Sequence, residues 1–93
     1  MNYTEAIWAL KHVKLSMAED DYICVRLFHM EGAGRISKQV YKDLTEWIRE
    51  QLNGYTCLEF WLRYEHQILS KNKAKMFETR KAWIDHMIEV LHG

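Results

Sequence analysis

Proline is absent from the whole chain, and three of its four glycines fall at two places, Gly32-Ala33-Gly34 and Asn53-Gly54. Proline ends a helix most forcefully, because its ring removes a backbone donor and collides with the preceding turn. A chain without it is interrupted only by softer signals, of which glycine or asparagine in the left-handed backbone that closes a helix is the clearest. Both glycine sites therefore read as helix ends, and nothing marks a domain boundary or an internal repeat. The 93 residues hold one small core and exclude a second. At 48% hydrophobic, 13% aromatic and 28% charged, the chain has enough apolar material to collapse. One helical domain over residues 1–93 is expected.

Periodicity fills in the helices. Asn2 followed by Glu5 has the spacing of a helix start, so the first helix begins near Tyr3. Ala6, Leu10, Val13 and Met17, with Ile7 alongside, form its core stripe; Trp8 and Leu15, with His12 between them, form a second stripe that this face does not bury. The next boundary is soft, with Ser16, Asp20 or Asp21 available to start a helix. Residues 22–30 have β-branched and aromatic content suited to a strand, yet Ile23, Leu27 and Met30 also fit a helix. Helix is the consistent choice, because no second strand exists to satisfy the backbone of the first.

After the glycines, Ser37 is the expected cap, with Ile36 and Tyr41 placed as its hydrophobic staple. Val40, Leu44, Trp47, Ile48 and Leu52 then make the cleanest amphipathic stripe in the chain. Thr56 and Glu59 form a capping box, stapled by Tyr55 and Phe60, for a helix over about 57–69. That helix has a wide apolar arc, containing Leu58, Phe60, Trp61, Leu62, Tyr64, Ile68 and Leu69, so it is either covered on most sides or offers one side to a partner. The connector Ser70-Lys71-Asn72-Lys73 leads to a last helix with Met76, Phe77, Trp83, Ile84, Met87, Ile88 and Leu91 on one face. The fold class is all-α, a small irregular bundle of four to five helices.

Chemistry is narrowed mainly by exclusion. Thirteen basic and thirteen acidic groups leave no net charge, so neither the basic excess of a duplex binder nor the acidic surface of a nucleic-acid mimic is present. No apolar run approaches the roughly 18–20 residues that cross a bilayer, and the N-terminus lacks the basic-then-apolar order of a secretory signal; a cytoplasmic protein without membrane contact is expected. Cys24 and Cys57 are too few for a disulfide scaffold and read as small, reduced hydrophobes. Of the five histidines, none pairs with another at the four-residue spacing that shares an ion, and His86, Glu89 and His92 read as solvated residues of the final turns. No nucleophile signature is present, and Gly32-Ala33-Gly34-Arg35 lacks the strand and the Lys-Ser or Lys-Thr of a phosphate loop. No enzyme, metal or cofactor is expected.

Four tryptophans and five tyrosines need explanation. Trp47, Trp61 and Trp83 lie on the apolar stripes, where packing suffices. Trp8 with Leu15, and Tyr64 with Phe60, lie off the best stripes; they are either covered by a neighbouring helix or available as interface anchors. Trp8, His12, Leu15, Phe60 and Tyr64 are accordingly the candidate partner-binding residues.

Two stretches, Gly54-Tyr55-Thr56-Cys57-Leu58-Glu59-Phe60-Trp61-Leu62-Arg63 and Arg80-Lys81-Ala82-Trp83-Ile84-Asp85-His86-Met87-Ile88, resemble segments of small accessory proteins encoded by bacteriophages and prophages. The resemblance implies a compact protein without catalytic machinery that binds a host protein or protein complex and alters its action. The expected function is a non-enzymatic protein–protein interaction module, as in a phage-encoded modulator or inhibitor of a host nuclease, defence complex or polymerase. One alternative is a DNA-binding regulator using the helix at about 37–52, although Asp43, Glu46 and Glu50 on that helix oppose phosphate. The other is a self-associating homodimer that covers its own surplus apolar surface.

Overall fold

The computed structural model describes residues 1–19, 21–51 and 73–93. Among these there are four helices and no strand: α1 (Tyr3–Ser16), α2 (Ile23–Gly32), α3 (Lys38–Gln51) and α4 (Lys73–His92). The fold is all-α. The expected helix over 57–69, its Thr56–Glu59 capping box, the break at Asn53-Gly54 and the connector residues 70–72 lie outside the described residues, as does Asp20.

The helix ends follow from local chemistry. At the start of α1 the Glu5 N–H donates to Asn2 Oδ1 at 3.1 Å, and before α3 the Val40 N–H donates to Ser37 Oγ at 3.1 Å. Residues 22–30 are helical from Ile23 onward, and the described residues include no strand. The end of α2 is set by the backbone. Gly34 sits at φ +74°, its N–H donates to the Glu31 carbonyl, and the Arg35 N–H reaches back to the Met30 carbonyl at 2.9 Å.

The start of α2 departs from the sequence expectation. Its cap residue is Tyr22, with no side-chain hydrogen bond, and neither Ser16 nor Asp21 caps it. Ser16 Oγ instead donates to the His12 carbonyl and accepts from Arg26 Nε at 3.0 Å, while Asp21 Oδ2 accepts from the Ala18 N–H at 2.7 Å. Both side chains are spent on closing the connector between α1 and α2. The last helix also begins at Lys73, one residue inside the expected connector.

Among the described residues the core draws on the predicted stripes, with Met76, Phe77 and Ile88 of the last one only half-buried. Ala6, Leu10, Val13 and Met17 are buried with Ile23, Leu27 and Met30, with Val40, Leu44 and Ile48, and with Ile84, Met87 and Leu91; Ala9 and Ile36 join them. Trp47, Trp83 and Cys24 are half-buried, and each packs against this cluster. α1 is the hub. It packs most extensively on α4 and also meets α2 and α3, and its short side chains Ala6 and Ala9 permit close approach.

Among the described residues one charged side chain is sealed inside. Arg80 of α4 is only 3% exposed, and its Nη1 donates to the Glu19 carbonyl at 3.1 Å and to the Asp21 carbonyl at 2.6 Å. Its guanidinium also lies 4.9 Å from the Tyr22 ring centroid, a cation–π distance. A buried cation persists only where such partners replace water. Arg80 thus ties the α1–α2 connector, which leads into a helix without a side-chain cap, to the last helix.

Candidate functional site

The second stripe of α1 stays on the surface. Trp8, His12 and Leu15 follow one another at steps of four and three residues, which puts them on one seam of the helix. Trp8 is 41% exposed and Leu15 82% exposed, while His12 is half-buried. The Trp8 and His12 rings stack with centroids 4.0 Å apart and planes tilted by 40°. The imidazole covers one side of the indole, and the exposed part of Trp8 faces solvent.

Trp8 stands between two grooves. One, of about 540 Å³, runs between α1 and the turn joining α2 to α3, and is lined by Thr4, Glu5, Trp8, Arg35, Ile36 and Val40 among others. The other, of about 600 Å³, lies between α1 and the end of α4, lined by Tyr3, Thr4, Ile7, Trp8, Lys11, Leu91 and His92. Thr4 and Trp8 belong to both, so the indole forms the ridge that separates them. The guanidinium of Arg35, which lines the first groove, approaches His12 Nδ1 at 3.5 Å. Phe60 and Tyr64 lie outside the described residues.

Sequence reasoning located the ridge but not its walls. Arg35 belongs to a turn, where periodicity says nothing about which helix the side chain faces. Phe28 was also missed. It is 56% exposed on α2 and meets the Tyr41 ring edge-on at 6.1 Å, next to a phenol whose pKa is raised above 10.0, first by burial and then by the charges of Cys24 and Glu31. The available signal was its place one residue beyond Leu27, off the Ile23, Leu27 and Met30 stripe.

The outer face of α3 offers mixed charge: Lys38, Lys42 and Arg49 are exposed alongside Glu46 and Glu50, and Gln39 Nε2 donates to Asp43 Oδ1 at 2.8 Å. Among the described residues no group of three or more His, Cys, Asp or Glu side chains is placed to hold a metal ion, and His86, Glu89 and His92 are all exposed. Among the same residues no helix is long and apolar enough to cross a membrane. Comparison with protein-family models, with curated proteins and with solved structures finds no match.

Proposed function

We propose that this chain is a non-enzymatic protein–protein interaction module that docks through the Trp8 ridge. The observation that supports the reading is an indole left 41% exposed between two grooves and stacked on His12, with Leu15 exposed on the same seam. A tryptophan in that setting has the features of an interface anchor: large apolar area, a ring packed on a neighbouring imidazole and flanking grooves to receive the partner's side chains. The exposed part amounts to about 90 Å² of a typical tryptophan's buried area, worth roughly 2 kcal/mol when covered. In keeping with the resemblance to phage accessory proteins, the partner in this reading is a host protein or complex such as a nuclease, defence complex or polymerase. The chain would modulate or inhibit it in the host cytoplasm by steric or allosteric occupation. An irregular bundle of four to five helices, the additional one over 57–69, belongs to the same proposal, with Phe60 and Tyr64 extending the docking face.

The test compares wild-type protein with Trp8→Ala and Tyr64→Ala in affinity capture from a host lysate. Trp8→Ala is expected to weaken capture about thirtyfold, the equivalent of roughly 2 kcal/mol, while helicity by circular dichroism stays unchanged. Loss of fold together with capture would overturn the assignment of these residues. Duplex binding at low salt abolished by Lys38→Ala and Lys42→Ala would favour the DNA-binding regulator instead. Concentration-dependent sedimentation would favour the homodimer.

A further inference from the structure

Resting on the docking reading above, we propose that the occupant of the Trp8 ridge is an acidic peptide segment: its apolar side chains seat in the two grooves and its carboxylates meet Lys11 and Arg35. The argument is one of charge complementarity. Lys14, one turn along α1 from Lys11, is matched within the fold by Asp85, with Nζ 2.7 Å from Oδ1 and 2.9 Å from Oδ2. Among the described residues no carboxylate pairs with Lys11 or with Arg35, and both are exposed. The two cations lie on opposite sides of the indole, Arg35 lining the groove toward the α2–α3 turn and Lys11 lining the groove toward α4.

His12 stacks on the indole and His92 lines the second groove, so both add donors rather than negative charge. Glu5 is the acid among the residues lining the grooves; it sits in the first turn of α1, where the helix dipole favours a carboxylate without any partner. Arg35 spends one edge of its guanidinium toward His12, and a guanidinium has five N–H donors, enough to hold a carboxylate as well. A nucleic-acid strand fits less well, because duplex affinity grows with the number of phosphates neutralised and two cations beside an apolar ridge supply few.

Selection of short random peptides displayed on phage against the immobilised full-length protein tests the proposal. The enriched peptides are expected to carry net negative charge around aromatic or aliphatic residues. Their affinity should fall at least about tenfold on the Lys11→Glu, Arg35→Glu double variant and weaken with added salt. Both positions are exposed, so circular dichroism is expected to show the double variant folded. Enrichment of neutral or basic peptides, or equal binding of acidic ones to the double variant, overturns the acidic occupant. If neutral apolar peptides bind and Trp8→Ser abolishes their binding, the docking reading stands while the acidic occupant falls. If nothing is enriched, or Trp8→Ser leaves binding unchanged, both fall. Duplex DNA bound through Lys11 and Arg35, or a dimer dispersed by Trp8→Ser, replaces the peptide with nucleic acid or a second copy.

Discussion

Replacing Arg80 by methionine keeps the length and most of the volume of the buried side chain while removing its donors and charge. Each hydrogen bond from a charged group contributes about 1.5–3 kcal/mol, and the contact with the Tyr22 ring adds about 0.5–2 kcal/mol. Two effects offset part of that sum. Glu19 is exposed and Asp21 half-buried, so water can reach their carbonyls, and a methionine has no buried charge to desolvate. The net loss expected for Arg80→Met is about 3 kcal/mol, a fall in Tm of roughly 12–24 °C for a domain of this size. Urea denaturation and thermal melts measure the global change. Hydrogen exchange gives the local one: the Arg26 amide, which closes the first turn of α2 on the Tyr22 carbonyl, should lose protection before the amides of α3, because the connector it follows is released. Arg80→Lys retains the charge but not the planar fork and should fall between the two. A methionine variant within about 1 kcal/mol of wild type would refute the idea that Arg80 ties the connector down.

Glycine replacements in one turn should have opposite signs. Gly34→Ala forces a side chain onto a left-handed backbone and should lose about 1 kcal/mol, whereas Gly32→Ala, at the helix end with open space around it, should gain up to about 1 kcal/mol in urea denaturation. Ser37→Ala removes the acceptor for the Val40 N–H and should cost about 1 kcal/mol, with faster exchange of that amide. The Tyr41 phenol, held above 10.0 chiefly by burial, keeps its proton longer in the folded chain than in the unfolded one. Its contribution to stability is therefore complete below pH 10 and is lost as the pH climbs through the folded value; Tyr41→Phe should flatten that alkaline decline, followed by denaturation at several pH values.

The helices were legible because their information is local. The stripe of α3 and the caps at Asn2 and Ser37 involve residues within a few positions of one another, so spacing alone identifies them. The exposed seam Trp8, His12 and Leu15 was equally visible as a row that the core stripe of α1 leaves over. Long-range features were not. Nothing near Arg80 in the sequence signals its burial, since its partners Glu19 and Asp21 lie about sixty positions earlier. Ser16 and Asp21 have the composition of caps, but the connector used them first. Arg35 could be placed on the groove only once the turn had fixed which way the chain leaves α2.

The conformation at that turn is closed by main-chain bonds and the left-handed Gly34, while the Arg35 side chain reaches past it to His12 at 3.5 Å. Position 35 is in effect an interchangeable socket. A panel of replacements there would vary the chemistry offered to a visitor, from cation to anion to plain hydrocarbon, against a constant scaffold. Retuning what this small protein prefers to hold should then require no compensating change in its interior.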